Sequence, residues 1–574
     1  MMEKPNVVLI LTDDQGWGDL SLNGNSNLNT PEIDKLAAGG AVMENFYVQP
    51  LCAPTRAEIL TGRYFPRTGV KGVCLGAERL SLDEVTIADL FRDAGYHTGC
   101  FGKWHSGHQY PYHPNGRGFD EFKGFCCGHW SHYFNSTLEH NGTEFESDGY
   151  LPDVLTEYAL DFIEEKQNAP FFCYLPLNTP HSPFQVPDEY YDRFEDNPLS
   201  LRSTHPEREE LDVTRAVLAM CENIDWNVGR VVEKLQELEL DKNTIVIYLS
   251  DNGPNSWRWN GGMTGKKGHA EEGGVRSPCV ISCPDTIAAG SKIDRIAGAI
   301  DLLPTLADFC GIDTSKAKPL DGVSLLPLLR TECSQDDWQD RLIFAKQTND
   351  SQVVSVRSQE FRAGGNLGGL YRLADDIGQK HDLSEVFPEK HRELLDAIDS
   401  WNAEMPTGEV TSSLPVGYEE FPQAFIPTQD AVLEGGLKRS SIHPNCSFIM
   451  DWEDENATLT WNLDVKQAGN YEVDLMYACS QEDLGSVLEV RSGNDSVQVT
   501  LTEAFDPPLK NKDDRVVRDE SYDKAFKSLP MGTLPLESGS QTLVLKCLTK
   551  TGRVVGEVRS LKLLYKKGKT DTYD

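Results

Sequence analysis

Two short apolar segments, each followed at once by acidic or amide residues, most constrain the fold of this chain. Residues 6–11 read NVVLIL and residues 244–249 read TIVIYL, without the polar alternation of a half-exposed strand. Such runs are typical of strands buried on both faces of a parallel sheet. The residues that follow the two runs are Asp13, Asp14, Asp251 and Asn252. We therefore expect an α/β fold with a functional edge at the carboxyl ends of these strands.

Further segments continue the α/β pattern. Residues 96–101 and 171–175 are predicted strands, and residues 82–94 and 213–238 have the apolar spacing of amphipathic helices. We assign residues 1–336 to one α/β domain.

The secondary-structure pattern changes after residue 336. Residues 337–428 show short antiparallel strand patterns, a helix near 389–404 and a Pro-containing linker at about 405–428. Residues 429–574 show alternating strands typical of an all-β sandwich. This pattern is similar to that of galactose-binding-like carbohydrate modules, and a purely structural β-domain is the alternative.

Charge and composition exclude several functions. The formal charge of −36 argues against a nucleic-acid partner, because phosphate contacts need an excess of Lys and Arg. No apolar run approaches the roughly 20 residues that span a bilayer. The 14 cysteines include no C-x-x-C pair, which disfavours a zinc ribbon. The start of the sequence has no apolar signal-peptide core, so we expect a signal peptide to be absent or already removed.

The segment 51–63 carries the most specific motif. It reads LCAPTRAEILTGR, with Cys52 and Arg56 in a C-x-P-x-R pattern. Pro54 is expected to keep Ala53 out of helical geometry, with a helix following at about residue 57. An ordinary buried thiol is the alternative for Cys52. The whole segment closely resembles the sulfatase signature, in which this cysteine is converted to formylglycine.

Other segments resemble the same family. Residues 102–105 read GKWH, with Lys103 and His105, and residues 265–278 match a K-G-x-x-x-E-G-G-V-R-x-P pattern in which Lys267, rather than its neighbour Lys266, is the aligned lysine. His181 lies in a turn stiffened by flanking prolines. With the strand-end residues and Cys52 and Arg56, ten positions match in the family's order.

The resemblance implies a fold, a cofactor and residue roles. The implied fold is an alkaline-phosphatase-like mixed sheet sandwiched by helices, with a small α+β subdomain. Oxygen ligands favour Ca²⁺ or Mg²⁺ over zinc, and the resemblance favours calcium. The metal residues are Asp13, Asp14, Cys52, Asp251 and Asn252. The resemblance also implies catalytic roles. The group made from Cys52 is the nucleophile, Arg56 supports that group, and Lys103 binds both the group and the sulfate. His105 acts as a base, and His181 and Lys267 contact the sulfate.

A long loop at residues 109–151 is rich in Gly and aromatic residues, and we expect it to be a functional insertion. Side chains in it that are candidates for a sugar pocket are His113, Arg117, His129, Trp130, His132 and Tyr133. Packing of an aromatic loop on the body is the alternative for each.

The leading hypothesis is a sulfatase acting on a sulfated carbohydrate, matured by a formylglycine-generating enzyme. By resemblance it is periplasmic or secreted. Two alternatives stay open. One is a phosphodiesterase or phosphonate monoester hydrolase on the same fold, and the other is a catalytically inactive glycan-binding protein. The oligomeric state is not predicted.

Overall fold

The computed structural model describes residues 4–408, 410 and 412–567. Up to Gly298 the strands, in chain order, are β1 Asn6–Thr12, β2 Ala41–Met43, β3 Phe46–Tyr47, β4 His97–Lys103, β5 Glu121–Phe125, β6 Thr137–His140, β7 Thr143–Glu146, β8 Phe171–Pro176, β9 Thr244–Ser250, β10 Arg276–Ser277, β11 Cys279–Ser282, β12 Ser291–Ile293 and β13 Ala297–Gly298.

These strands build one large mixed sheet. Its ten strands follow the order β12-β2-β11-β9-β1-β8-β4-β5-β6-β7, while β10, β3 and β13 form a small separate sheet. Strands β9, β1, β8, β4 and β5 are parallel, so their carboxyl ends share one edge. Every residue of β1 and β9 is buried, as the unbroken apolar runs predict.

Helices cover both faces of this sheet. In chain order they are α1 Pro31–Ala38, α2 Cys52–Thr61, α3 Ile87–Asp93, α4 Leu151–Lys166, α5 Asp188–Tyr191, α6 Leu211–Glu237, α7 Glu272–Val275, α8 Leu302–Cys310, α9 Leu326–Leu329 and α10 Pro388–Glu404. One apolar core holds α2, α3 and α8, and a second holds α1, α4 and α6. The predicted α/β sandwich is confirmed.

Two local predictions were wrong. The helix expected at 82–94 is α3 alone, since Thr86 and Asp89 form a capping box that starts the helix there. The loop expected at 109–151 contains β5, β6 and β7, which extend the main sheet. These strands have only four or five residues each, too few to show a clear period.

A small antiparallel sheet follows, with strands β14 Ile343–Lys346, β15 Val354–Arg357, β16 Phe361–Gly364 and β17 Gly368–Arg372. Helix α10 packs on it through Leu394, Ile398 and Trp401. Short strand patterns at residues 342–344, 353–356 and 370–373 predict β14, β15 and β17, and the helix expected near 389–404 is α10, whereas no pattern predicts β16.

The C-terminal region is a two-sheet β-sandwich. Its strands are β18 Leu414–Val416, β19 Gln423–Pro427, β20 Val432–Glu434, β21 Lys438–Arg439, β22 Ile449–Met450, β23 Thr458–Val465, β24 Gly469–Ala478, β25 Val487–Ser492, β26 Asp495–Thr500, β27 Lys527–Leu536, β28 Gly539–Thr549 and β29 Glu557–Lys566. The two six-stranded sheets enclose one apolar core.

Two features of the sandwich differ from expectation. The stretch expected to be a linker at 405–428 contains β18 and β19, which pair with β23 and β29. Strand β27 was not predicted, because Pro530, Gly532 and Pro535 interrupt its pattern. It lies at the edge of its sheet, where proline is tolerated because one side of an edge strand needs no hydrogen bonds. Among the described residues, none of the helices combines the length and apolarity needed to cross a bilayer.

Candidate active site

The strand-end acids meet at the shared edge of the main sheet. Thr12 of β1 pairs with Ser250 of β9, so the residues that follow the two strands are neighbours. The Asp14 backbone N–H donates to Asp251 Oδ1 at 3.2 Å, and Asn252 Nδ2 donates to Asp14 Oδ1 at 2.8 Å. All of these side chains are buried. The structure therefore brings together the four predicted strand-end ligands.

Cys52 is the first residue of α2, and its side chain joins this cluster. The Cys52 sulfur and carboxylate oxygens of Asp13 and Asp251 all lie within 4.8 Å of one another. The expectation that Ala53 lies outside the helix was wrong, since α2 runs from Cys52 through Pro54. Proline fits the first turn because backbone N–H groups there have no partner within the helix. The positive end of the helix dipole thus lies at Cys52.

Arg56, one turn further along α2, holds Asp251. It donates to Asp251 Oδ2 from Nε at 3.2 Å and Nη2 at 2.8 Å, and from Nη1 to the Lys103 carbonyl at 2.9 Å. Burial lowers the pKa of the guanidinium, but the negative charges around it, that of Asp251 foremost, together outweigh burial and raise the pKa above its usual range. Arg56 is therefore a permanent buried cation beside Cys52.

Two lysines neutralise the acids at the end of β1. Lys103 Nζ lies 2.5 Å from Asp13 Oδ2, and Lys267 Nζ lies 2.6 Å from Asp14 Oδ1. Burial raises the pKa of Asp13, but Lys103, His181 and Arg56 outweigh burial and hold the pKa below its usual range. Lys266 instead donates to the Asn255 carbonyl at 3.1 Å, so Lys267 is the lysine at the cluster.

The two predicted histidines have distinct environments. His181 Nε2 lies 3.6 Å from Asp14 Oδ2, so it belongs to the cluster. His105 has a left-handed φ of 57° and its Nε2 lies 2.8 Å from the Val73 carbonyl. A carbonyl only accepts, so Nε2 carries the proton and Nδ1 holds a free lone pair. Burial, reinforced by Lys103, lowers the pKa of His105 to about 3.

Of the six loop candidates, two contact the turn that carries His181 and the other four have partners elsewhere. The His129 ring centroid lies 5.5 Å from that of His181, and the Tyr133 hydroxyl lies 2.9 Å from the His181 carbonyl. Trp130 stacks on Phe125 at 4.8 Å, and His132 Nε2 lies 3.6 Å from Asp513. His129 and Tyr133 therefore contact the cluster.

His113 and Arg117 have other partners. His113 Nε2 pairs with Glu139 at 2.5 Å, and its Nδ1 accepts from the Asn115 N–H at 3.2 Å. Arg117 Nη2 donates to the Glu84 carbonyl at 2.9 Å. Both side chains are held by partners within the protein, which favours the packing alternative over a role in a sugar pocket.

Sequence reasoning missed the buried pair of Arg258 and Asp19. Arg258 Nη2 donates to Asp19 Oδ2 at 2.6 Å and to the Asp14 carbonyl at 2.8 Å. Asp14 has a left-handed φ of 68°, and the contact holds its backbone in place. No motif marks the pair, because the two residues lie 239 positions apart.

The cluster fits a hard divalent cation. Asp13 Oδ1 and Asn252 Oδ1 are buried and have no hydrogen-bond partner within the part of the chain that the structure describes. Buried oxygens without donors normally cost free energy, and a cation ligated by carboxylate and amide oxygens would satisfy them. Together the donors are carboxylates, an amide oxygen and the side chain at position 52.

Comparison with known proteins gives consistent results. The family described as Sulfatase matches residues 5–312, more than half of the 574-residue chain. N-acetylgalactosamine-6-sulfatase of Mus musculus is 31% identical over 390 residues, covering 62% of this chain and 71% of the mouse protein. Human arylsulfatase A is 33% identical over 362 residues, covering 57% of this chain and 68% of that protein.

A solved structure agrees in fold. The crystal structure of Ps i-CgsB in complex with k-i-k-neocarrahexaose has a TM-score of 0.63 and 29% identity, covering 70% of this chain and 94% of that chain. The family match includes the strand-end acids, the Cys52 helix and both lysines of the cluster. This chain belongs to the sulfatase family, whose members are sulfuric ester hydrolases.

Proposed function

We propose that this protein is a formylglycine-dependent, calcium-binding sulfatase that acts on a sulfated carbohydrate. The observation that carries the proposal is the meeting of Asp13, Asp251 and Cys52 donor atoms within 4.8 Å. Lys103 pairs with Asp13, and Lys267 and His181 lie beside the adjacent Asp14. This arrangement suits an anionic ester held between cations beside a nucleophile.

The metal would be held by Asp13, Asp14, Asp251, Asn252 and the side chain derived from Cys52. Calcium is favoured over magnesium because the resemblance to sulfatases favours it, and oxygen donors suit either ion. The bound cation would supply positive charge that stabilises the sulfuryl oxygens.

The formylglycine made from Cys52 would supply the nucleophile. Arg56 would hold this group electrostatically, since its guanidinium stays charged and is fixed by Asp251. The N-terminus of α2 adds a favourable dipole for negative charge at position 52. A formylglycine-generating enzyme is the partner that the modification requires.

The remaining side chains would bind sulfate and move protons. Lys103 and Lys267 present ammonium groups to the sulfuryl oxygens. His181 Nε2 would also face the ester, and in the doubly protonated ring it would donate its proton to the leaving oxygen. His105 would take up a proton at Nδ1, the atom left free by its contact with Val73.

Two similar proteins support a carbohydrate substrate. One relative is an N-acetylgalactosamine-6-sulfatase, and one similar structure holds k-i-k-neocarrahexaose. His129 and Tyr133 lie beside His181, where a sugar next to the ester would lie. We further propose a periplasmic or secreted location. We also keep the domain division expected from the sequence, at 1–336, 337–428 and 429–574, with one change: the boundary before the sandwich moves from residue 429 to the start of β18.

Mass spectrometry and sulfate release test this function together. The tryptic peptide containing Cys52, from protein produced with a maturation enzyme, should have the mass of the aldehyde or its hydrate. The same protein should release sulfate from sulfated oligosaccharides faster than it hydrolyses matched phosphate or phosphonate esters. Faster phosphonate hydrolysis would support the phosphonate hydrolase alternative. An unmodified thiol with glycan binding and no turnover would support the inactive binding protein.

A further inference from the structure

A segment of the C-terminal sandwich lies against the turn that carries His181. This segment, residues 505–526, precedes β27, and we call it the docking segment. The Arg515 backbone N–H donates to the Phe184 carbonyl at 2.9 Å, and Gln185 Nε2 donates to Asp514 Oδ1 at 2.5 Å. Arg518 Nη1 donates to the Ser131 carbonyl at 2.7 Å. The docking segment therefore contacts both loops that bring His129 and His181 to the cluster.

Within this contact, Ser182 links His181 to an acid of the docking segment. The buried Ser182 Oγ donates a short hydrogen bond to the carboxylate of Glu520, and it lies 3.4 Å from His181 Nδ1. Glu520 is 338 positions away from Ser182 in the chain. Hydrogen bonds to a charged acceptor are stronger than those between neutral groups.

The donors and acceptors of this chain of contacts fix the tautomer of His181. Its Nδ1 lies 2.7 Å from the Ser182 carbonyl, which only accepts, so Nδ1 carries a hydrogen. Because the Ser182 hydroxyl hydrogen points to Glu520, Ser182 Oγ presents a lone pair to Nδ1. Both contacts favour the hydrogen on Nδ1 and leave Nε2 on the side of Asp14.

We propose that Glu520 is a positioning residue for His181, so that the C-terminal sandwich completes the active site. By accepting from Ser182 Oγ, Glu520 fixes the hydroxyl and, through it, the plane of the imidazole ring. This inference rests on the proposed function, in which Nδ1 keeps its hydrogen while Nε2 first takes a second proton from water and then delivers that proton to the leaving oxygen. A fixed ring orientation matters most for an alkoxide leaving group, which needs that proton, and least for a nitrophenolate, which does not.

Four variants test the proposal by kinetics. With a sugar sulfate, Glu520→Ala and Ser182→Ala should each lower kcat about 10- to 100-fold, with KM changed less than about 3-fold. With nitrophenyl sulfate both should stay within about 3-fold of the unaltered protein. Glu520→Gln keeps an oxygen acceptor and should recover most of the sugar-sulfate activity. Asp519→Ala removes a neighbouring exposed acid and should change neither rate.

The double variant sharpens the kinetic result. If Ser182 and Glu520 act through one contact, combining their alanine substitutions should cost little more than either alone. Equal losses on both substrates, fully additive losses, or a loss confined to KM would overturn the proposal.

A nuclear magnetic resonance measurement, which needs no catalytic turnover, tests the role of Glu520 independently of the proposed function. In protein labelled with ¹⁵N-histidine and carrying the unmodified Cys52, the His181 ring signals should show the Nδ1–H tautomer. In Glu520→Ala the hydrogen should stay on Nδ1, because the Ser182 carbonyl still accepts it, but the ring signals should shift and broaden as the ring loses its fixed orientation; they should not do so in Glu520→Gln or Asp519→Ala. Unchanged His181 signals in Glu520→Ala would overturn the inference. Absence of sulfate release by the unaltered protein would contradict only the proposed function, because the nitrogen signals would still decide the role of Glu520.

Discussion

Arg56 and Asp251 lie 195 positions apart in the chain, yet the guanidinium donates two hydrogen bonds to a single carboxylate oxygen. Neither side chain is exposed to solvent. The contact joins the first turns of α2, which begins at Cys52, to the end of β9, which carries the predicted metal ligands. It therefore sets the distance between the nucleophile position and the metal-binding edge.

Removing Arg56 should destabilise the fold as well as the site. Arg56→Met leaves the Asp251 carboxylate buried without its cation, and we expect the free energy of unfolding in chelator to fall by about 3–5 kcal/mol. Chemical denaturation measures this loss. Arg92→Met, which breaks a partly exposed pair with Asp89, should change stability by less than about 1 kcal/mol. Equal effects of the two substitutions would contradict a structural role for the buried pair.

Calcium should stabilise the protein even when Cys52 is unmodified. At a concentration about 100 times its dissociation constant, a ligand that binds only the folded state adds about 2.7 kcal/mol to the free energy of unfolding. Thermal unfolding with calcium, with magnesium and with chelator measures the effect. Asp13→Asn and Asn252→Leu should each weaken it. Asp148→Asn, an exposed acid outside the cluster, should leave it intact. A calcium response unaffected by Asp13→Asn would place the bound ion elsewhere.

His105 should make stability depend on pH. Its pKa falls from 6.5 to about 3 on folding, so between these values the unfolded chain binds a proton that the folded protein does not. Stability contributed by neutral His105 is therefore present above pH 6.5 and lost as the pH falls toward 3. The slope is at most about 1.4 kcal/mol per pH unit.

The difference between the unaltered protein and His105→Asn isolates this slope. Asparagine tolerates the left-handed backbone of this position and does not titrate. Denaturation at several pH values from 6.5 to 4 should show a flatter dependence in His105→Asn. His97→Asn, at an exposed position of β4, is the matched control. Parallel pH profiles for all three proteins would contradict the low pKa of His105.

Gly102 should tolerate no side chain. Its φ is 142°, and a Cβ there would lie 2.1 Å from the Pro176 carbonyl oxygen. Gly102→Ala should lower the free energy of unfolding by about 3 kcal/mol or more, because the new side chain would strain the left-handed backbone and also clash with the carbonyl. It should also displace the neighbouring Lys103. Gly95 has a φ of 85° with open space around it, so Gly95→Ala should cost only about 1–2 kcal/mol. Urea midpoints and sulfate release measure both effects.

Local patterns in the sequence predicted much of the fold. The unbroken apolar runs indicated β1, β8 and β9, and the 3.6-residue spacing indicated α6, because each of these elements is long enough to show its period. The same reasoning failed for β5, β6 and β7, which are short, and for β27, which contains prolines. The beginning of the sandwich at β18 was also missed, since three residues carry no period.

By itself, the sequence determined the buried strands, the acids at their ends and the sulfatase pattern around Cys52, because these depend on neighbouring residues. Only the tertiary structure decided which distant groups meet. It gave His113 and Arg117 packing partners, and it brought Glu520 to Ser182. Such contacts depend on sheet order and on the packing of whole elements, which no local pattern encodes.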